Sequence, residues 1–313
     1  MMTESDQPLI KHISDFLDWI DIEKGLSSKT QENYGRFLKK LTDWLSMTGQ
    51  KSLKPHELTP EIIWNYKVYL SRNAKRELKK STQNHYLIAL RSLLNFFTDR
   101  NILSLPSDKV KLPKAPGDKS VRFLTLEQLK KLLEAPDISK TAGLRDRSII
   151  EVFFSTGLRI SELAALNRNQ LRIRPGLAEF ELGIIGKGGR ARTVYFSSRC
   201  IDWLFKYLGT RGDEAEALFI NYRRRLNSPQ RLTPRSIEKI IKNYAVISGL
   251  PSSTTPHVLR HTFATDLLSQ GVDLRVVQEF LGHKSIVATQ IYTHVTSKQL
   301  KDIHKKFHSQ DVG

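Results

Sequence analysis

Apolar residues recur every three or four positions along most of the first hundred residues, which is the spacing of one face of an α-helix. The pattern predicts an all-α N-terminal domain over 1–103. Ser28 is the expected cap of its second helix, and Thr59-Pro60-Glu61 opens the third, because proline at the first helical position needs no amide donor. The four helices are expected over 8–23, 28–47, 60–72 and from Ser81 or Thr82 to Phe97.

The segment 104–120 separates this helical region from the rest of the chain. It reads SLPSDKVKLPKAPGDKS, with three prolines, one glycine and four lysines. Proline and glycine interrupt regular structure, and such a composition is typical of a linker. We therefore expect a second domain over 121–313.

The second domain has helical spacing at both ends and strand-like patterns in its middle. Thr125 is placed to cap its first helix, and Gly157 to end a helix that includes 145–154. Strands are expected over 170–174, 179–185 and 191–196, with the glycines of GKGGRAR in a tight hairpin turn between the last two. Further helices are expected over 160–166, 198–208, 235–249 and 297–307. The pattern predicts a mainly α domain with a small antiparallel β-sheet.

The charge balance indicates the kind of partner. Lysine and arginine number 50 against 32 acidic residues, which gives a formal net charge of +18 and a pI of about 9.9. Such an excess indicates a polyanionic partner, most often nucleic acid. A basic surface without any partner is the plain alternative.

One group of basic residues surrounds the start of the fourth helix. Phosphate contacts from such a group position a protein on DNA without reading its sequence. A solvated face is the alternative. The group comprises Lys75, Arg76, Lys79, Lys80 and Arg91.

Cysteine content and hydropathy restrict the class of protein further. Cys200 is the single cysteine, which excludes a disulfide within one chain and a cysteine-rich zinc site. The N-terminus has no basic region followed by an apolar core, and no apolar run approaches the roughly 18 residues that span a bilayer. We expect a soluble, cytoplasmic protein with no membrane contact.

Candidate chemistry concentrates in 256–295, which reads PHVLRHTFATDLLSQGVDLRVVQEFLGHKSIVATQIYTHV. His257 and Arg260 share one face of a predicted helix, His283 follows a Leu-Gly pair typical of a helix end, and Tyr292 comes nine residues later. Arginine holds phosphate oxygens, histidine transfers protons and tyrosine supplies a nucleophilic oxygen. The set therefore suits attack on a phosphodiester, although each residue alone is more often part of a core or an interface.

A zinc site is a second interpretation of this stretch, because His257 and His261 are spaced i, i+4. No glutamate lies between them to act as a base, and the cation of Arg260 would oppose a zinc ion. We therefore expect no metal.

Two upstream motifs favour the phosphodiester. In STGLRISELAAL, Gly157 ends a helix and Arg159 follows at once, so its side chain points from a rigid element into a cleft, where Glu162 can orient it. Lys187 lies at the tip of the predicted hairpin and can reach into a groove. A surface salt bridge and a solubilising lysine are the alternatives. GKGG lacks the spacing and the Ser/Thr of a nucleotide P-loop, which argues against ATP binding.

Taken in order, TGLRISEL, GKG, HVLRH, LGH and QIYTHV resemble the motifs of the tyrosine recombinase/integrase family, most closely its Xer-type members. GLSSKTQENYGRFLKKLTDWL and STQNHYLIALRSLLNFF are similar to that family's core-binding domain. The resemblance covers nearly the whole chain. It implies a SAM-like helical bundle followed by a catalytic domain with the tyrosine recombinase fold.

The resemblance also implies a reaction without metal, ATP or another cofactor. A tyrosine oxygen attacks a DNA phosphorus, forms a 3′-phosphotyrosine and releases a 5′-hydroxyl, and the 5′-hydroxyl of a second strand reverses the step. The implied catalytic residues are Arg159, Lys187, His257, Arg260, His283 and Tyr292, with Glu162 and His261 as supporting residues.

The implied roles follow the chemistry of each side chain. Arg159 and Arg260 hold the non-bridging oxygens of the phosphate, and His283 adds a donor to them. His257 helps with the tyrosine proton. Lys187 protonates the leaving oxygen.

Among partners, the resemblance implies a double-stranded DNA recombination site and a homotetramer, or a tetramer with a related recombinase, on two synapsed sites. An accessory translocase is a further candidate. Resolution of chromosome or plasmid dimers is the expected role. The alternatives are integration of a mobile genetic element by the same chemistry, a topoisomerase-like or hairpin-forming enzyme, and a non-catalytic DNA-binding module.

Overall fold

The computed structural model describes residues 1–72, 78–113, 122–186, 189, 191–222 and 230–282. The chain divides into two compact units, Met1–Asp118 and Lys119–Gly313. Each unit has a hydrophobic core of its own.

The described part of the N-terminal unit is helical. Its α-helices are α1 (Ile13–Ile22), α2 (Ser28–Met47), α3 (Pro60–Arg72) and α4 (Lys80–Asp99). Its 3₁₀-helices are Leu9–His12, Pro55–Glu57 and Ser107–Lys109. The four predicted helices are confirmed, the first of them with a 3₁₀ turn ahead of α1.

The start of α2 differs from the prediction by one residue. Ser27 is the cap residue, with an extended backbone, and Ser28 is already helical. The Ser27 hydroxyl lies 3.0 Å from that of Thr30 and makes no capping hydrogen bond to the helix backbone. Two successive serines are equally suited to this position, so the sequence does not distinguish them.

The first part of the expected linker, 104–120, packs on the N-terminal unit. Val110 is completely buried in that core, and Leu112 packs against it. The side-chain amide of Asn84 in α4 donates a hydrogen bond to the carbonyl of Pro113 (3.2 Å). Apolar residues between the prolines therefore extend the helical unit beyond the boundary expected from composition.

The described part of the C-terminal unit contains seven α-helices and one β-hairpin. The helices are α5 (Leu126–Glu134), α6 (Thr141–Thr156), α7 (Ile160–Ala165), α8 (Ser198–Leu208), α9 (Pro234–Ile247), α10 (Pro256–Ser269) and α11 (Leu274–Leu281). The antiparallel strands are β1 (Glu179–Ile185) and β2 (Ala191–Ser197). A mainly α unit with a small antiparallel sheet is what the sequence predicts.

One face of the hairpin turns towards the core. Leu182 pairs with Val194 and Ile184 pairs with Arg192. Ile184, Val194 and Phe196 are buried. Because side chains alternate along a strand, Arg192 lies on the same face as Val194 and Phe196.

The strand predicted over 170–174 is wrong. Arg168–Gln170 is a 3₁₀-helix, and the N–H of Leu171 donates to the carbonyl of Arg168 (3.1 Å). Leu171 is buried and Arg172 is exposed. The alternating apolar residues here anchor a loop on the core, which produces the period of a strand without strand pairing.

Helices α10 and α11 share a small apolar cluster of their own. Its buried members are Ala264 and Leu268 of α10 and Val277 and Leu281 of α11. The two α11 residues are four positions apart and so lie on one face of this short helix. The larger core of the unit is built from α5 to α9, the hairpin and the start of α10.

Among the described residues, no helix is long and apolar enough to span a membrane. The predicted tail helix, 297–307, lies outside the described residues.

Candidate active site

The turn between α6 and α7 places Arg159. Helix α6 ends at Gly157, which adopts the left-handed conformation (φ 59°). A Cβ atom at this position would lie 2.5 Å from Cδ1 of Phe263, so a larger residue would displace that ring. Arg159 follows as the cap residue of α7. The helix end predicted at Gly157 is confirmed.

Glu162 binds both the backbone and the side chain of Arg159. Its Oε2 accepts a hydrogen bond from the Arg159 backbone N–H (2.8 Å), and its Oε1 accepts one from Nη1 (2.9 Å). The Glu162 side chain is 8% exposed and that of Arg159 is 27% exposed. The pair is therefore more than a surface salt bridge, and part of the guanidinium remains accessible.

Arg192 of β2 belongs to the same network and was missed by sequence reasoning. Its Nη1 and Nη2 donate to the two carboxylate oxygens of Glu162 (3.0 and 2.7 Å), and its Nε donates to the carbonyl of Phe280 (3.1 Å). The side chain is only 9% exposed. The alternation of side chains along the strand could have indicated this role. Arg192 is two and four positions from the apolar Val194 and Phe196, so it faces inwards with them and needs hydrogen-bond partners there.

Helix α10 positions the His-Arg-His group. Thr255 caps the helix by accepting a hydrogen bond from an N–H of its first turn (3.4 Å), and Pro256 is the first helical residue. His257 is accessible to solvent, and its ring packs edge-on against that of His261 with centroids 4.5 Å apart. Arg260, by contrast, is 2% exposed.

Arg260 joins two helix ends. Its Nη1 donates to the carbonyl of Gly157 (2.5 Å), and its Nη2 donates to the carbonyl of Leu281. Carbonyls in the last turn of a helix lack partners within the helix, and the helix dipole favours a cation there. The buried guanidinium therefore holds the end of α6 and the end of α11 together.

The end of α11 accepts hydrogen bonds from three arginines on three different elements. Gly282 ends the helix in the left-handed conformation (φ 60°). The carbonyls of residues 280–282 accept in turn from Arg192, Arg260 and Arg159, the last at 3.2 Å. The arginines thus converge immediately before position 283.

Electrostatics set the protonation of two groups in the site. Burial raises the pKa of Glu162, but hydrogen bonds and charge from Arg192 and Arg159 outweigh it and hold the pKa at about 2. Partial burial, then the positive charges of Arg260 and Arg159, lower the pKa of His257 below its ordinary value. At neutral pH the carboxylate is therefore ionised and the imidazole is neutral.

Within the described ranges, no three histidine, cysteine or acidic side chains form a group that could hold a metal ion. His257 and His261 contact each other through their rings, and the charge of Arg260 acts on the first of them. The positive charge of Arg260 therefore disfavours the binding of a metal cation beside His257.

Several predicted residues lie outside the described residues, namely Lys187, His283, Tyr292, Lys75 and Arg76. In the sequence, Lys187 comes directly after Gly186, the residue that follows β1, and His283 comes directly after Gly282.

The described members of the basic group lie on one helix or at its cap. Lys79 caps α4, Lys80 begins it, and both are exposed. Arg91 follows Lys80 by three helical turns, so the two lie on one side of α4, about 16 Å apart. The arrangement suits successive contacts along a phosphate backbone.

Two families match the chain over most of its length. Residues 122–299 match the Phage integrase family, and residues 13–101 match the N-terminal SAM-like domain of phage integrases. The chain belongs to the phage integrase family. This membership confirms the resemblance and the fold class predicted from the sequence motifs.

Relatives of this phage integrase family member are similar over their full length. The chain is 34% identical to tyrosine recombinase XerD of Chlorobaculum tepidum, over 98% of this chain and 99% of the relative. It is also 34% identical to tyrosine recombinase XerC of Pelotomaculum thermopropionicum, over 96% and 99%. The expectation of a tyrosine recombinase is thereby confirmed.

A solved structure has the same fold. The XerH site-specific recombinase, crystallised with palindromic difH substrate as a post-cleavage complex, aligns with a TM-score of 0.74 at 22% identity. The alignment covers 98% of this chain and 99% of that one. Both units of the chain are therefore built as in a tyrosine recombinase.

Proposed function

We propose that this chain is a site-specific DNA recombinase that cuts and rejoins strands through a 3′-phosphotyrosine, with Xer-like resolution of chromosome or plasmid dimers as its role. The observation that carries the proposal is the convergence of Arg159 and Arg260 on one helix end, directly before His283. Relatives at 34% identity that are named tyrosine recombinases support the same reaction.

The arginines are suited to a DNA phosphate. Arg159 is held by Glu162 and by the Gly282 carbonyl, yet its side chain keeps 27% exposure, so an oxygen of the phosphate can reach it. Arg260 is 2% exposed and is fixed by the carbonyls of Gly157 and Leu281. Because these donors are fixed before DNA binds, they stabilise the charge that develops in the transition state more than the ground state.

Proton transfer follows from the state of His257. An ordinary phenol has a pKa of about 10, so a base is needed when the Tyr292 oxygen attacks phosphorus. The lowered pKa of His257 keeps its ring neutral at neutral pH, and a neutral ring can accept that proton. We assign protonation of the 5′-oxygen to Lys187 and a further phosphate donor to His283.

The same chemistry defines the partners. Cutting two duplexes twice each requires four protomers, so the proposal includes a tetramer, of this chain or with a related recombinase, on two synapsed DNA sites. The XerH relative is described as bound to its difH substrate, which supports a double-stranded recombination site as ligand. The accessory translocase remains part of the Xer-like role that we propose.

Covalent trapping tests the proposal. A nicked duplex that loses its 5′-hydroxyl fragment after cleavage should accumulate a covalent adduct with the full chain. Tyr292→Phe should bind the duplex and form no adduct, whereas Tyr195→Phe, which changes an exposed tyrosine of β2, should form it normally. An adduct with Tyr292→Phe would assign the nucleophile elsewhere, and no adduct with the unaltered chain would refute the proposal.

Strand exchange then distinguishes the enzyme classes. Two intact duplexes that carry the site should yield recombinant products. Cleavage and rejoining of a single duplex without exchange would instead indicate a topoisomerase-like enzyme.

A further inference from the structure

Arg192 has no role in the proposed phosphate chemistry, yet it is tightly bound within the site. A cation beside the tip of a two-stranded hairpin is ordinarily solvated and available to DNA. This side chain is 9% exposed and directs three nitrogen atoms inwards, two to Glu162 and one to the Phe280 carbonyl. Its hydrogen bonds are therefore committed within the protein.

The contacts of Arg192 connect three elements. The residue itself lies on β2, Glu162 lies on α7 and Phe280 lies at the end of α11. A Cβ atom on Gly282 would lie 2.9 Å from Cδ of Arg192, so the arginine passes directly against the left-handed turn that ends α11. The approach is possible because that turn carries a glycine.

We propose that Arg192 is a positioning residue with two effects. It orients Arg159 through Glu162. It also fixes the hairpin, whose two strands flank Lys187 in the sequence, against the end of α11, which directly precedes His283. The inference rests on the proposed function, because it gives Arg192 its effect through residues of that chemistry. Arg159 receives its orientation from a carboxylate that Arg192 holds by both oxygens. A paired fork of this kind fixes the direction of the carboxylate as well as its position.

Loss of Arg192 has a specific electrostatic result. Burial pushes the pKa of Glu162 upwards, and the bonds from Arg192 oppose that push. Without them the folded-state pKa of Glu162 rises from about 2, so this carboxyl becomes protonated at a higher pH than in the unaltered chain. A protonated Glu162 no longer holds the Arg159 cation, so the variant loses activity towards acidic pH in addition to the loss that protonation of His257 causes in the unaltered chain.

The experiment compares Arg192→Ala and Arg192→Lys with the unaltered full chain on the nicked duplex. Single-turnover adduct formation at saturating protein gives the rate, and half-site titration gives Kd. Arg147→Ala is the matched control, because Arg147 also donates to a buried carboxylate, Glu151, and to a main-chain carbonyl, with a side chain 12% exposed. None of these partners belongs to the arginine network around Glu162.

We expect Arg192→Ala to lower the adduct rate by about 100-fold, the size of effect that a misplacement of about 1 Å produces. Half-site Kd should stay within about threefold of the unaltered value. Arg192→Lys, which keeps the charge without the fork, should also be slow. The ratio of the Arg192→Ala rate to the unaltered rate should fall towards acidic pH, beyond the decline that His257 causes in both, and added guanidinium ion should restore part of the rate.

Each outcome bears on the inference. If the unaltered chain forms an adduct and Arg192→Ala forms it at the same rate, the positioning role is refuted while the proposed function stands. A loss that Arg147→Ala shares, without the additional acidic decline or guanidinium rescue, would make Arg192 a general stabilising residue. A loss in Kd equal to the loss in rate would make it a DNA contact. Absence of an adduct with the unaltered chain would refute the function itself.

Discussion

Gly157→Ala is expected to destabilise the C-terminal unit through two separate effects. The glycine has a φ of 59°, where a residue with a side chain costs about 1–2 kcal/mol. The added Cβ would lie 2.5 and 2.8 Å from two ring atoms of Phe263. Displacing a packed side chain costs typically about 1–3 kcal/mol. The free energy of unfolding of the unit should therefore fall by about 2–5 kcal/mol.

Gly249→Ala separates the two effects. Gly249 also adopts a left-handed conformation (φ 68°) just after a helix, α9, but nothing lies within 4 Å of the position of its Cβ. Only the conformational cost applies, about 1–2 kcal/mol. For a unit of this size each kcal/mol lowers the midpoint of thermal unfolding by about 2–4 °C. Calorimetry should therefore give a loss of about 2–8 °C for Gly249→Ala and about 4–20 °C for Gly157→Ala.

A smaller residue at position 263 tests the cause of the difference. With Phe263→Ala as the starting point, Gly157→Ala should cost about as much as Gly249→Ala, since the Cγ, Cδ1 and Cε1 atoms that meet the new methyl group are gone. Equal midpoints for the two alanine variants in the unaltered background would refute the steric origin. An undiminished cost in the Phe263→Ala background would refute it as well.

Four further predictions concern the chemistry and the assembly. Arg260→Ala should lower adduct formation by about 10²–10³, with a much smaller loss of half-site affinity, and equal losses would make Arg260 structural. Lys187→Ala should cleave a duplex with a 5′-bridging sulfur nearly as fast as the unaltered chain but an ordinary duplex slowly, and no rescue by sulfur would exclude it as the acid. Because the pKa of His257 is lowered, the loss of cleavage at acidic pH should set in at a lower pH than the titration of an ordinary histidine would give; a His257→Gln variant that keeps this decline would exclude it as the base. Deletion of 297–313 should preserve half-site binding, weaken cooperative binding to the full site and abolish strand exchange, whereas normal recombination would mean that the tail does not assemble protomers.

Local patterns in the sequence predicted most of the fold. Helical spacing together with capping residues such as Thr125 gave helices whose ends lie close to the observed ones, because both signals act within a few residues. The strand expected over 170–174 was wrong, since alternation reports burial and does not reveal whether a neighbouring strand is present. The extension of the N-terminal unit to Val110 was not predicted. The segment was interpreted from its many prolines and lysines, and a single valine gives no sign in the composition that it is buried.

The contacts in the candidate site also fall into those that the sequence predicts and those that it does not. Arg159 and Glu162 are three residues apart, so one helical turn brings them together and the sequence reveals their contact. Arg192 reaches Glu162 across 30 positions and Phe280 across 88. Such contacts are set by how the hairpin and α11 pack on the unit, which no short window of sequence contains. The motif resemblance implies a set of reacting residues but says nothing of the contacts that Arg192 makes.

The separate apolar cluster shared by α10 and α11 has a consequence for motion. Val277 and Leu281 pack on Ala264 and Leu268 and not within the larger core, so α11 can open without unfolding the rest of the unit. In such an opening the carbonyls of 280–282 would leave all three guanidinium groups at once, and the proposed phosphate site would be dismantled as a whole. Assembly of the proposed cleavage site would then be a local equilibrium with its own free energy, smaller than that of global unfolding. In the proposed complex, a contact made near α11 by DNA or by a neighbouring protomer would shift that equilibrium while the fold itself remains intact.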